Sequence, residues 1–164
     1  MTEKAIVPIL MGSRSDMSHA EKIGEALAEF GIAYEYRVGS AHKTPVHVLD
    51  LLKAYENDPR PKVYITIAGR SNALSGFTDG VVNAPVIACP PVSSSFGGAD
   101  IYSSLRMPSG VAPAVVLEPT GAALLAAKII ALFDADVREK LVAKRLETAN
   151  VILQDDRDVS SGDA

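Results

Sequence analysis

The chain of 164 residues holds one cysteine, no tryptophan and three histidines. A lone Cys89 excludes a disulfide framework and any metal site built from several thiolates. There is no surplus of basic charge. Sixteen Lys and Arg stand against twenty Asp and Glu for a net charge of −4, and most of that deficit lies in the final QDDRDVSSGDA, where one Arg meets four Asp. The nearly neutral body speaks against a general nucleic-acid binder, which would carry a basic face. No apolar run approaches the roughly 20 residues a bilayer requires, so no membrane is expected as a partner. The start, MTEKAIVPIL, lacks the charged-then-apolar layout of a signal peptide. No internal repeat is visible. What remains is 48% hydrophobic and 22% charged residues, enough for one core. These features predict a single cytoplasmic domain over 1–164, with an acidic, frayed end from about residue 154.

Apolar runs of strand length alternate with segments of helical period. Strands are expected at 5–10 (AIVPIL), 32–38 (IAYEYRV), 62–68 (KVYITIA), 85–89 (PVIAC) and 114–117 (AVVL). Between the first two, Ala20, Ile23, Leu27 and Phe30 recur every three or four residues, the mark of an amphipathic helix, and Gly31 suits its end. Thr44-Pro45 predicts a second helix start, with Thr44 as cap and Pro45 in the first turn. Short helices are expected within 71–82 and 99–107. Residues 121–134 are apolar nearly all round, which predicts a buried helix. Residues 136–153 carry a stripe of Val137, Leu141, Leu146 and Ile152.

Five strands separated by helices, with no hairpin signal, imply an α/β fold. The expected form is a three-layer α/β/α sandwich around a five-stranded, mostly parallel sheet, flavodoxin-like or Rossmann-like, with a C-terminal helical extension. Pro8 fits awkwardly, because it removes a ladder donor from the first strand. Either that strand lies partly at an edge, or Pro8 sits where its missing N–H faces no partner. The apolar excess on 121–153 exceeds what one sheet needs as cover, and predicts a homo-oligomer.

Ligands of open parallel sheets bind outside the carboxyl ends of the strands. That rule selects Gly12–Asp16, Gly39–Pro45, Gly69–Gly76 and Pro90–Gly98. Gly12-Ser13-Arg14-Ser15-Asp16 enters a helix, whose free N–H groups could receive an anion; Ser13 or Ser15 could equally be a plain cap. It is neither a Walker loop nor GxGxxG. Ser40-Ala41-His42-Lys43-Thr44-Pro45 places a histidine, suited to proton transfer near neutral pH, beside a lysine that can pair with phosphate. His19 and His47 fall inside helices and read as partly solvated helix residues. Gly69-Arg70-Ser71-Asn72 is a second turn of small residues into a helix. Leu105 and Met107 read as packing residues. Cys89, ending a buried strand with only Pro90-Pro91 beside it, reads as a small apolar residue rather than a nucleophile.

In this order and spacing, GSRSD, SAHKTP, AGRSNALSG, CPP and SSLRMPSG resemble the PurE family of purine biosynthesis, over about residues 5–135. The resemblance implies carboxylation at aminoimidazole ribonucleotide (AIR) with no metal and no organic cofactor. Two branches of the family differ in the third loop. One carries GAGGAAHLPG and usually Arg after the motif histidine, and is a mutase of the N5-carboxylated ribonucleotide. The other carries GRSN, with Lys after the histidine and CPP after the fourth strand, and takes carbon dioxide directly. AGRSN, SAHK and CPP here resemble the second, in the stand-alone form found in some bacteria. By the same resemblance, His42 is the acid–base group, and Ser13, Asp16, Ser40, Lys43, Gly69 and Ser71 contact substrate. Lys43 and the amides of Gly69 to Ser71 are assigned to the phosphate and Asp16 to ribose hydroxyls. Amides of the third and fourth loops could also stabilise a nascent carboxylate. The resemblance further implies a tetramer or octamer.

A reading from another class is a non-catalytic, flavodoxin-like module for a phosphorylated ligand. A response receiver would need an acidic cluster ending strand one and an Asp ending strand three; here these ends read Leu10-Met11-Gly12 and Ala68-Gly69.

Overall fold

Residues 3–162 are described by the computed structural model. Five parallel strands form one sheet: β1 (Ile6–Met11), β2 (Ala33–Val38), β3 (Tyr64–Ile67), β4 (Val86–Ala88) and β5 (Ala114–Val115), in the order β2-β1-β3-β4-β5. Six α-helices connect or follow them: α1 (Met17–Glu29), α2 (Pro45–Glu56), α3 (Ala73–Asp79), α4 (Tyr102–Leu105), α5 (Pro119–Ile130) and α6 (Ala135–Ser161).

Side chains alternate across the strands and so serve two cores. Val7, Ile9, Met11, Ile65 and Ile67 meet α1 and α5 through Ile23, Leu27, Ala123 and Ala127. Leu10 and Tyr64 face the other way, onto Val48, Leu52 and Tyr55 of α2 and Leu74 of α3. Helices therefore cover both faces, which is the expected three-layer sandwich.

β1 is central, so the edge explanation of Pro8 fails. Ile6 and Gly12 donate their N–H groups toward β3, to Pro61 O and Ile67 O at 2.9 Å each. Pro8 has the same parity, so its missing donor also faces β3. There the pairing is interrupted, with an isolated bridge Ile6↔Lys62 and then Ile9↔Ile65 onward. The proline occupies the gap in that ladder.

Three local expectations need correcting. The apolar segment 121–134 is not one buried helix. α5 ends at Ile130, and its buried face is Ala122, Ala123, Ala126, Ala127 and Ile130, whereas Leu132 and Phe133 are 78% and 52% exposed. Asp134 is the cause: its Oδ1 accepts the Val137 N–H at 3.1 Å and starts a new helix, while the Arg138 guanidinium donates to Ala131 O. That new helix, α6, runs on to Ser161, past the expected end at 153, where a left-handed Gly162 stops it. Of the expected stripe only Val137 is buried and Leu141 half-buried; Leu146 and Ile152 lie in the open at 54% and 62%. Finally, Thr44 stands at the N-cap of α2 but makes no cap hydrogen bond there, because its hydroxyl bonds backward to Ser40.

Candidate active site

The four loops selected by the strand-end rule meet in one cleft of about 770 Å³. All seven residues assigned from the sequence line it: Ser13, Asp16, Ser40, His42, Lys43, Gly69 and Ser71. The sheet order explains why. β1 and β3 are neighbours while β2 lies on the far side of β1, so the loops after them open from the point where the winding reverses.

The first loop turns through a short 3-10 segment, Arg14–Asp16. Ser13 caps it, its Oγ accepting the Ser15 N–H at 3.2 Å and the Ser15 hydroxyl at 3.0 Å. The capping and ligand-binding readings of Ser13 are thus compatible, since its own O–H remains to donate. Asp16 occupies the N-cap position of α1 without capping it. Burial raises its pKa, against the opposing effects of the Ser13 hydrogen bond and the His19 ring.

The second loop is a closed turn. Thr44 donates its N–H to Ser40 O at 2.8 Å, and Ser40 donates its N–H to Thr44 Oγ1 at 3.0 Å. Ser40 Oγ accepts the Lys43 N–H at 3.2 Å. His42 sits on this turn, exposed, with no hydrogen-bond partner among the described residues. At Gly39 the chain passes so near α2 that a Cβ would stand 2.8 Å from Val48 Cγ2. His47 Nε2 lies 3.2 Å from Val38 O, bracing the end of β2 rather than entering the cleft.

The third loop is the most heavily tied. Asn72, 4% exposed, caps α3 by accepting the Ser75 N–H at 3.2 Å. Its side-chain amide donates to Ser75 Oγ and Ser104 Oγ at 2.7 and 2.9 Å. Thr66 joins the same buried set through Ser75, hydroxyl to hydroxyl at 2.8 Å. Arg70 has a left-handed backbone, φ +58°. Its N–H donates to Asp100 Oδ2 at 3.0 Å, and its C=O accepts the Ser103 hydroxyl at 2.7 Å. Asn72 N–H donates to Ser103 Oγ at 3.1 Å. One of the three amides expected to receive phosphate, that of Arg70, is therefore already engaged, which leaves those of Gly69 and Ser71.

Sequence reading did not identify Asp100, Ser103 and Ser104 as supports of the third loop. The run SSLRMPSG is visible in the chain, but nothing local says that it packs on residues thirty positions earlier. Met107 does pack as expected, over Gly76, where a Cβ would lie 3.0 Å from its Sδ; Leu105 is exposed.

Cys89 is buried, and its Sγ lies 3.3 Å from Nε2 of His19. Burial, with a smaller effect from Glu118, pushes the thiol up to about 12. Burial also lowers the His19 pKa, despite the Cys89 hydrogen bond and the nearby Asp16. A neutral thiol beside a neutral imidazole links β4 to α1, and agrees with the non-nucleophilic reading of Cys89. Among the described residues no cluster of three or more His, Cys, Asp or Glu could hold a metal ion, and no helix is long and apolar enough to cross a membrane.

Residues 6–150 match the protein family described as AIR carboxylase. A phosphoribosylaminoimidazole carboxylase of Treponema denticola is 60% identical over 153 residues, covering 93% of this chain and 96% of the relative. One of Archaeoglobus fulgidus is 58% identical over 134 residues, covering 82% and 73%. A bifunctional carboxylase/succinocarboxamide synthetase of Rattus norvegicus is 44% identical over 153 residues, which are 93% of this chain but 36% of that protein. The crystal structure of Treponema denticola PurE superposes with a TM-score of 0.92, covering 94% of this chain and 98% of that one.

Proposed function

Because this chain belongs to the AIR carboxylase family of purine biosynthesis, we propose that it carboxylates AIR directly with carbon dioxide, and that His42 carries the proton. The observation that carries this reading is the make-up of the cleft. Among the described residues His42 is the only histidine lining it, and in the third-loop stretch where the mutase branch bears a histidine this chain has Asn72, buried and consumed in capping α3.

The aminoimidazole ring is electron-rich, and C4 behaves as an enamine carbon. Its electron pair forms the new C4–C bond to carbon dioxide, and one C=O pair moves onto oxygen as a carboxylate. C4 still bears its hydrogen. A neutral His42 takes that proton, the C4–H pair returns to the ring and aromaticity is restored. The exposed imidazolium then releases the proton to solvent. One proton moves, so one titratable group suffices, with the ~10²–10⁴ typical of general acid–base catalysis. Carbon dioxide offers few polar handles, so holding it near C4 supplies much of the remaining acceleration.

Lys43 faces the phosphate, assisted by the free O–H groups of Ser13 and Ser40. Asp16 is a poor neighbour for phosphate on charge grounds and faces ribose hydroxyls. With the Arg70 amide engaged, the amides of Gly69 and Ser71 remain to receive the phosphate beside Lys43. No metal or organic cofactor enters this scheme. The enzyme works in the cytoplasm as a homo-oligomer, a tetramer or octamer, joined through the exposed apolar residues of α6 and the α5–α6 turn.

The deciding experiment offers the purified protein AIR with dissolved carbon dioxide, and separately the N5-carboxylated isomer. Formation of 4-carboxy-AIR from the first alone is expected. Turnover of the isomer alone would make the protein a mutase. Turnover of neither would leave the phospholigand-binding module.

A further inference from the structure

Arg70 is held in a backbone conformation that an L side chain adopts only at a cost and a glycine adopts freely. Asp100 and Ser103 hold it there from both sides of the peptide. Yet the side chain that incurs this cost has no visible structural task. It is exposed, and its guanidinium has no carboxylate or hydrogen-bond partner among the described residues.

Its position is informative. Beside the main cleft lies a second cavity of about 160 Å³, walled largely by Pro90, Pro91, Val92, Ile101 and Leu117. The two cavities share Gly69, Arg70 and Pro91 to Ser93, so Arg70 stands where an apolar compartment opens into the polar cleft. Among the described residues two Lys or Arg side chains line that cleft, Lys43 after β2 and Arg70 after β3. A carboxylated ribonucleotide carries two anionic groups, one at each end.

We propose that Arg70 recognises the carboxylate of the carboxylated nucleotide, pairing with it through the guanidinium fork as the C4–C bond forms. This rests on the direct-carboxylation reading above. Carbon dioxide is neutral and gives a guanidinium little to hold. Negative charge reaches its oxygens only as the C4 electron pair forms the bond, so the contact strengthens from substrate to product. An interaction of that kind accelerates the step rather than merely tightening binding. Arg70 neither gives nor takes a proton; the C4 proton still goes to His42.

The test uses Arg70→Gly, which removes the fork while suiting the left-handed backbone, in a His42→Asn background that prevents turnover. Calorimetry measures binding of AIR and of 4-carboxy-AIR. We expect AIR affinity to change less than about twofold and 4-carboxy-AIR affinity to fall about tenfold to a hundredfold, the usual loss for a charge-assisted pair. In the wild-type background, millimolar guanidinium ion should restore part of the lost rate, which a purely structural role would not allow. Should Arg70→Gly fail to fold, Arg70→Asn, which also tolerates this backbone, replaces it. An unchanged ratio of the two affinities overturns the proposal. So does equal weakening of both ligands, which would place the guanidinium on the phosphate. If His42→Asn alone binds neither nucleotide, the functional reading falls first and takes this one with it.

Discussion

The Thr44 hydroxyl lies within hydrogen-bond distance of both backbone groups of Ser40, accepting its N–H at 3.0 Å and donating to its C=O at 3.2 Å. His42 is carried midway between these two residues. A side chain expected to cap α2 instead staples the turn that presents the imidazole, and a general base works only within reach of its proton.

Thr44→Val keeps the shape of the side chain and removes the staple. Turnover should fall about tenfold while KM for the ribonucleotide changes little, and Thr44→Ser should restore the rate. Steady-state kinetics of the three proteins checks this. An unaltered kcat in the valine variant would remove Thr44 from any role in placing His42.

His42→Asn removes the titratable group from a turn whose hydrogen bonds do not involve its ring. The variant should melt within about 2 °C of the parent, because surface substitutions cost about 0.5 kcal/mol or less. It should bind AIR and lose turnover by ~10²–10⁴. Near-normal turnover would exclude His42 as the proton carrier.

Acid should weaken the fold through His19. Its folded pKa lies below 6.5 because burial disfavours the imidazolium, so the unfolded chain binds the proton first. The contribution is complete above about pH 6.5 and is lost as pH falls through that value toward the folded one. Asp16, raised above 3.8 by burial, acts with the opposite sign at lower pH. Melting temperatures between pH 7.5 and 5.5 should decline less in His19→Gln than in the parent. The Cys89 thiol, pushed up to about 12, should resist iodoacetamide at pH 8 until the chain is unfolded.

Asn72→Ala deletes the cap of α3 and leaves the buried hydroxyls of Ser75 and Ser104 short of a partner. A lost cap costs about 1 kcal/mol and an unpaired buried group about 1–3 kcal/mol. The melting temperature should drop by about 5–10 °C. A shift under 2 °C would mean that water replaces the amide.

The exposed Leu146 and Ile152 of α6 bear on assembly. Light scattering should find a homo-oligomer in the parent, and Leu146→Glu with Ile152→Glu should yield a smaller species. A parent that weighs as a monomer contradicts the association.

How much of this was legible beforehand varies by element. β1 to β4 and α1 to α3 were readable because each apolar period faces one sheet. β5 was readable as well, although it is shorter than the expected 114–117; the break between α5 and α6 was harder, since Leu132 and Phe133 look like core until Asp134 is seen starting a new helix. The site loops were legible as a set, because Gly, Ser and single charges after parallel strands converge on one edge whatever the helices are.

Strand periodicity, strand count and the order of the loop motifs are local properties, so the chain by itself determined an α/β sandwich with His42, Lys43 and Asp16 at one edge. Which distant groups hold those loops was decided only on folding. The left-handed Arg70 tied to Asp100 and Ser103, the Asn72–Ser104 bond and the His19–Cys89 contact each join residues 30 or more positions apart. No local preference encodes such pairs; they exist because packing two helical layers on one sheet brings β4 and the segment after it against the loops of β1 and β3.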